Sequence, residues 1–464
     1  MGIERGSSCS SEGTDATSKA MTMSIGLIAM LTSGCATYSP DPLQLDAPLK
    51  APSASALVAE AATIARPYLK PVALDLRAPL DLNAVAVLAV IGNPDLRAMR
   101  VRARVADAQL FSARLLPDPT LILGIDQVVS GPPALANLAG TLGFAVNELR
   151  TRGARIAGAR AETQRVRLDL AWAEWQTAGK ARIQAVRVIG TERALAITRA
   201  SSEVSQSLLD RSLRAAGRGD LPPDQLLAAR LAVFDAAQRV RTLEREFEAA
   251  RFELTRLLGL APDENLRLSA TVDARPIPSL EALFSMARAQ RLDLQALEAG
   301  YNAQEAAVRL AVIRQFPTLD ISLNGTRDTS GNGLVGPAVS LTLPLWNRNR
   351  GAIAVETATR TALKAEFESR LFQTRAEIAA AAAALAVSSR QRSLIESSLP
   401  ALARFAEASR RAADRGDIAL ATAQAAEQAL RDKQLLLAQS EQDMNEQLIA
   451  LELLTGIPRE LWPR

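Results

Sequence analysis

The strongest constraint on this 464-residue sequence is that a long pattern occurs twice. Residues 95–119 return as residues 293–317, 198 positions later at both ends. Further landmarks recur at nearly the same offset: Arg152-Gly153, Arg218-Gly219-Asp220 and Leu258-Gly259 correspond to Arg350-Gly351, Arg415-Gly416-Asp417 and Thr455-Gly456. A large unit duplicated in tandem predicts a pseudo-symmetric body. It argues against an enzyme that has one asymmetric site.

The composition excludes several kinds of chemistry. Histidine is absent and the two cysteines are Cys9 and Cys35, so the commonest general base and the soft metal ligands are missing. We therefore expect no catalytic residues, no cofactor and no metal site. The formal net charge of +4 leaves no basic footprint for nucleic acid. Aromatic residues make up only 4% of the chain, which is typical of long helices.

The N-terminus has the features of a secretion signal. Residues 21–31 form an apolar stretch that is too short to span a bilayer, and Ser33-Gly34-Cys35 follows as a small-residue cleavage site. This context resembles a bacterial lipobox, in which the cysteine is acylated and becomes the first mature residue. The resemblance implies a signal peptide at residues 1–34 and lipid attachment at Cys35. An ordinary signal with an incidental cysteine remains the alternative.

The rest of the chain alternates between helical and strand patterns. A proline-rich segment at residues 35–80 is expected to be extended. Each repeat then begins with one helix, at about 84–116 and about 280–314. The stretch 352–413 contains no glycine and one proline, Pro400, and at 1.5 Å per residue it would reach roughly 93 Å. Return helices are predicted at about 222–257 and 419–454.

Two short strands are predicted in each repeat, between the first and second helices. Residues 318–324 and 339–343 alternate between apolar and polar side chains, which indicates strands with one apolar and one polar face. Their partners in the first repeat are Leu121, Leu123 and Ile125, then Leu142, Phe144 and Val146. In a membrane barrel such faces meet lipid and lumen, whereas a soluble half-buried hairpin is the alternative.

The junction at residues 339–351, which ends in Asn347-Arg348-Asn349-Arg350-Gly351, is similar to the second-repeat junction of the TolC-type outer membrane efflux channels. Residues 146–153 match less well, and the resemblance covers about residues 85–458. It implies a mainly α protein with a small transmembrane β part, organised as repeats at 81–276 and 277–464. Three identical chains would each give four strands to a twelve-stranded barrel in the bacterial outer membrane. A helical barrel would continue through the periplasm to an adaptor protein and an inner-membrane pump.

Within that family, the Asn-Arg-Asn-Arg-Gly junction favours the heavy-metal branch, in which the pump is of the RND type. The predicted function is therefore a passive exit duct for heavy-metal cations in a tripartite efflux system, and not an enzyme. Multidrug efflux and type I secretion through the same fold remain open. A periplasmic coiled-coil lipoprotein with a structural or adaptor role is the alternative from another class.

The repeated Arg-Gly-Asp segments are predicted to form turns between two helices, where glycine provides the break. The resemblance implies that these turns are periplasmic tips that contact the adaptor: Arg218, Gly219, Asp220, Leu221, Arg415, Gly416, Asp417 and Ile418. In a trimer each carboxylate at a tip becomes a ring of three, and charged rings select cations. The gate candidates are Asp417, Asp414, Asp220 and Asp224. Helix capping is the alternative role for these aspartates.

The lipid assignment predicts the chemistry of the mature N-terminus. Mass spectrometry should find an acylated Cys35 as the first residue, and Cys35→Ser should weaken anchoring while leaving the strands able to insert. An unmodified mature protein that begins at another residue would contradict the assignment.

Overall fold

A computed structural model describes residues 38–43, 54–127, 129–131, 135–269 and 276–463. The chain divides into two units, residues 1–50 and 51–464. In the first unit the described residues 38–43 are exposed and irregular, and Cys35 lies outside the described residues. All the helices and strands below belong to the second unit.

The second unit repeats one order of elements, after a short helix α1 (Ala54–Thr63). The first repeat contains α2 (Leu82–Gly92), α3 (Pro94–Arg114), β1 (Thr120–Asp126), β2 (Asn137–Phe144), α4 (Val146–Gly217) and α5 (Pro223–Leu258). The second contains α6 (Leu280–Gln290), α7 (Leu292–Ile313), β3 (Thr318–Arg327), β4 (Gly333–Thr342), α8 (Arg350–Asp414) and α9 (Leu420–Thr455), and a 3₁₀ turn (Arg459–Leu461) follows. The predicted strand pairs, long helices and return helices are confirmed, and α8 runs through Pro400.

The first helix of each repeat is two helices, so the prediction of a single helix is wrong. Pro94 has no N–H and pushes the preceding residue out of the helical region, and Asn93 has ψ 123°. The Asn93 side chain then accepts from the N–H groups of Asp95 and Leu96 and starts α3. Arg291 makes the equivalent break between α6 and α7 with ψ 121°.

The end of a return helix packs against each of these breaks. The Asn93 side chain donates to the Leu257 carbonyl at 2.9 Å, and Gly259 at the end of α5 lies against the Gly92 carbonyl. In the second repeat, the guanidinium of Arg291 donates to the Leu454 carbonyl at 3.4 Å. Thus α3 follows on from α5 and α7 follows on from α9, each pair forming one column.

The columns pack side by side in the order α5/α3, α4, α9/α7, α8. The seam between the repeats joins α4 to α9. Trp175 donates from its indole N–H to the Leu453 carbonyl at 3.1 Å. Arg182 forms an ion pair with the buried Glu452 near the end of α9, 2.9 Å away. Gly179 and Gly190 leave room there for the side chains of α9.

The N-terminal segment covers α2 and is not extended throughout, which corrects the prediction for residues 35–80. The alanine-rich stretch after Pro52 contains no further proline until Pro67, and it forms α1. Side chains from this segment are buried in the core beside α2: Leu57, Ala61, Leu69, Leu74 and Leu80.

A buried carboxylate fastens this segment to the long helices. Glu174 on α4 is 1% exposed and accepts from Arg66 at 2.5 Å, from Arg100 at 2.8 Å and from the Tyr68 hydroxyl at 3.2 Å. Burial alone would raise the pKa of Glu174, but the hydrogen bonds and charges of Arg66 and Arg100 outweigh it and hold that pKa below its usual value. The folded protein therefore favours the ionised carboxylate.

Because the pKa of Glu174 is lowered on folding, its contribution is complete above the pKa of an unfolded glutamate, about 4.3, and is lost as the pH falls further. Glu174→Gln leaves two arginines without their counter-charge and should cost about 3–5 kcal/mol at pH 7. Chemical unfolding followed by circular dichroism measures the change, and its size should shrink near pH 3. The control Glu244→Gln removes a half-exposed partner of Arg199 and should cost at most about 1 kcal/mol. Equal losses for the two variants would contradict the role of the buried cluster.

Candidate membrane sheet and helix tips

The strands form one antiparallel sheet in the order β1-β2-β3-β4. The central pairing joins the repeats, with Leu142 opposite Leu323 and Phe144 opposite Ile321. Directly opposed residues share a face of a sheet, so the register defines both faces. The predicted strand residue Val146 instead begins α4, and Leu343 lies just beyond β4, because each chain turns into its long helix there.

One face of the sheet is apolar across all the strands, apart from Arg327, the last residue of β3, which lies opposite Leu138. It carries Leu121, Leu123, Ile125, Leu138, Leu142, Phe144, Leu319, Ile321, Leu323, Val335, Val339 and Leu341. The opposite face is mainly polar, apart from Ile122 and Leu334, and carries Thr120, Asp126, Asn137, Thr141, Thr318, Asp320, Ser322, Asn324, Thr326, Ser340 and Thr342. Leu123 is 76% exposed and Val335 79%, so the apolar face is open within a single chain.

The sheet has two unpaired edges among the described residues. β2 and β3 are paired on both sides, whereas β1 and β4 are each paired on one side. Backbone groups on such edges need partners away from water, and exposed edges invite pairing with another chain.

The outer helices carry apolar stripes as well. On α5, Leu227, Leu231, Phe234 and Phe252 are 47–63% exposed, and on α8 Phe372, Val387, Leu394 and Phe405 are 54–78% exposed. At 3.6 residues per turn, each set lies within about 60° around its helix. Helices α5 and α8 are the two ends of the row of columns, so both ends present unburied apolar surface.

The two predicted tips have the same backbone geometry. After α4, Gly219 has φ +79°, its N–H donates to the Ala216 carbonyl, and the Asp220 N–H donates to the Ala215 carbonyl at 2.9 Å. After α8, Gly416 has φ +81°, and its N–H and that of Asp417 make the equivalent bonds to Ala413 and Ala412. This is a Schellman ending, in which glycine relieves the steric cost of a left-handed residue.

The carboxylates of both tips are tied to arginines. Arg218 donates to Asp220 at 2.8 Å and Arg415 donates to Asp417 at 2.9 Å, with all four side chains more than half exposed. The sequence revealed the repeated triplet but not this pairing, because it depends on the turn geometry. Leu221 and Ile418, beside the turns, are partly buried.

Helix capping, the alternative role, fits only some of the four gate candidates. The N-cap residues of α5 and α9 are Pro222 and Ala419, so Asp220 and Asp417 do not cap the following helices. Asp224 lies in the first turn of α5, where the helix dipole favours a carboxylate. Asp414 is exposed at the last residue of α8.

Two searches of the described residues gave negative results. No helix among them is both long enough and apolar enough to cross a bilayer. No group of three or more cysteine, aspartate or glutamate side chains among them is arranged to hold a metal ion.

Comparison with known proteins shows which proteins this architecture resembles. The outer membrane efflux protein family matches residues 283–457, from α6 to just beyond α9. The second repeat thus matches the outer membrane efflux proteins in sequence, and the fold is that of TolC-type channels. The chain is 25% identical over 298 residues to the cobalt-zinc-cadmium resistance protein CzcC of Cupriavidus metallidurans, a match that covers 62% of this chain and 68% of that protein.

Solved structures agree with this fold. The channel-forming protein CusC superposes with a TM-score of 0.69 at 16% identity, over 81% of this chain and 92% of its own. The MtrE outer membrane channel of Neisseria gonorrhoeae gives 0.65 at 17% identity, over 81% of this chain and 89% of its own. Together with the outer membrane efflux family match, this fold places the protein in the bacterial outer membrane, extending into the periplasm, and the matching family and the fold are those of channels rather than enzymes.

The two sheet faces should respond differently to charge. Ile321 lies on the apolar face and Ser322 on the polar face of β3. An arginine facing lipid at mid-bilayer costs about 2–4 kcal/mol, whereas one facing the lumen costs much less. Ile321→Arg should therefore reduce the amount of membrane-assembled protein far more than Ser322→Arg, as measured by native gels of outer membrane extracts. Equal effects would contradict the assignment of the faces.

Proposed function

We propose that this efflux protein is the exit duct for heavy-metal cations in a tripartite system with a periplasmic adaptor and an RND-type inner-membrane pump. The observation that carries the proposal is the similarity to the cobalt-zinc-cadmium resistance protein over 298 residues. The Asn347-Arg348-Asn349-Arg350-Gly351 junction supports the same branch. Multidrug efflux and type I secretion are the competing uses of this duct.

The assembly we propose is a ring of three chains, anchored additionally by lipid at Cys35. The edges support it, because β1 and β4 each lack one neighbour and the apolar stripes on α5 and α8 lie at opposite ends of the row. An interface between two different surfaces generates a ring when the rotation closes. Three chains with four strands each would then form a twelve-stranded barrel, as the family resemblance implies.

We also propose that both Schellman turns contact the adaptor. The supporting feature is their identical geometry, with Arg218, Gly219, Asp220 and Leu221 repeated as Arg415, Gly416, Asp417 and Ile418. A crosslinker at Leu221 or Ile418 should capture the adaptor. Capture only from the β3–β4 loop, at the opposite end of the long helices, would reverse this orientation.

The proposed constriction is a ring of tip carboxylates, with Asp417 as the leading candidate and Asp414, Asp220 and Asp224 as the others. Because Asp417 is paired with Arg415, Asp417→Ala removes one negative charge and releases one arginine. Single-channel recordings in planar bilayers should show a reduced preference for cations. Asp220→Ala tests the equivalent carboxylate at the other tip, which is paired with Arg218 in the same way. Unchanged selectivity in both variants would exclude these carboxylates from the constriction.

The transport proposal is tested in a strain that lacks its own duct but expresses a metal-exporting pump and adaptor. Adding this protein should restore growth on cobalt, zinc or cadmium, whereas a variant truncated before α8 should not. If the protein assembles but restores resistance only to organic drugs, the duct belongs to a multidrug system. If it restores neither with any pump tested, the proposed transport function is wrong.

A further inference from the structure

A band of exposed side chains lies at the helix-facing end of the sheet. Since the strands are antiparallel, β1 and β3 begin where β2 and β4 end, and all four connect to α3, α4, α7 and α8 at that end. The band includes these apolar residues, which are 50–82% exposed: Phe111, Leu115, Leu149, Phe316, Leu345 and Trp346. It also includes these exposed arginines: Arg114, Arg314, Arg348 and Arg350. We name this set the junction belt.

The arginines of the junction belt lack carboxylate partners among the described residues. None of the four takes part in an ion pair there, although arginine–carboxylate pairs are frequent along the long helices. Glu148, the acidic residue of the first junction, is already paired with Arg155 at 2.5 Å. Asp118 is a single exposed carboxylate in the link between α3 and β1, so the belt keeps a positive excess.

The backbone presents one of these arginines on a fixed turn. Arg348 has φ +47° and Asn349 has φ +54°, and the Asn349 side chain donates to the Ala311 carbonyl at 2.8 Å. The Arg350 N–H donates to the Asn347 carbonyl at 3.0 Å. These bonds hold the junction to the end of α7 while Arg348 and Trp346 stay exposed.

We infer that the junction belt binds anionic phospholipids, with the arginines contacting headgroup phosphates and the apolar side chains contacting the adjoining acyl chains. The inference rests on the proposed insertion of the sheet in the membrane. Guanidinium groups form paired hydrogen bonds with phosphate oxygens, and aromatic residues favour the boundary between headgroups and hydrocarbon. The belt adjoins the sheet along the chain, and its uncompensated positive charge complements a lipid with net negative charge.

Native mass spectrometry of the full protein in detergent provides the test, with equal amounts of phosphatidylglycerol and phosphatidylcholine in competition. One basic residue near an anionic surface changes binding by about fivefold, so the wild type should retain at least about fivefold more phosphatidylglycerol. The triple variant Arg314→Gln, Arg348→Gln, Arg350→Gln should reduce this preference below about twofold. The triple exchange of the same residues to lysine should keep most of it.

The control removes the same charge elsewhere. Arg230→Gln, Arg390→Gln and Arg404→Gln change exposed arginines on α5 and α8, away from the junction belt, and should leave the preference intact. A wild type without preference, or a loss shared equally by the control, overturns the inference. A junction variant that fails to assemble while its lipid preference persists would assign the belt to contact between subunits.

Vesicle flotation separates this inference from the proposed function. Wild-type protein should float with vesicles of phosphatidylcholine alone and with vesicles that also contain phosphatidylglycerol. Failure to insert into either would contradict the membrane role of the sheet. Insertion into both, without headgroup preference in the competition, would overturn the lipid inference alone.

Discussion

The structure depends most on the requirement that every backbone N–H and C=O group in hydrocarbon be hydrogen-bonded. The sheet meets this requirement within the chain for β2 and β3 but leaves one edge of β1 and one edge of β4 unpaired. The helical part has the same organisation, since each column continues into a strand and the column order matches the strand order. Unsatisfied strand edges and exposed apolar stripes therefore occur at the same two sides of the chain, and copies of the chain are proposed to cover both.

Each repeat pairs one long helix with one shorter return helix. α5 and α9 are about half as long as α4 and α8, with 36 residues against 72 and 65. Helices α3 and α7 complete the two shorter columns, and the breaks at Asn93 and Arg291 allow them to start where the return helices end. Different side chains perform the same task there: an amide in the first repeat and a guanidinium in the second both donate to the last turn of a return helix.

Sequence patterns predicted the features that depend on local periodicity. Alternation in residues 318–324 predicted β3, the glycine-free stretch 352–413 predicted α8, and the repeated Arg-Gly-Asp predicted both tips. The break before α3 also has a sequence signal, because Pro94 follows an asparagine, which is a preferred cap. The prediction of a single helix overlooked this signal. The break at Arg291 has no such signal. The Glu174 cluster joins Arg66, Arg100 and Glu174, which are far apart in sequence, and tertiary packing alone brings them together.

Hydrogen exchange at the strand edges tests the central claim most directly. In the assembled protein, purified in detergent, the outward-facing amides of β1 and β4 should exchange as slowly as those of β2 and β3, because neighbouring chains would occupy both edges. The mass of the same sample should correspond to three chains. Rapid exchange along β1 and β4, with protected amides in β2 and β3, would contradict closure of the sheet by copies of this chain.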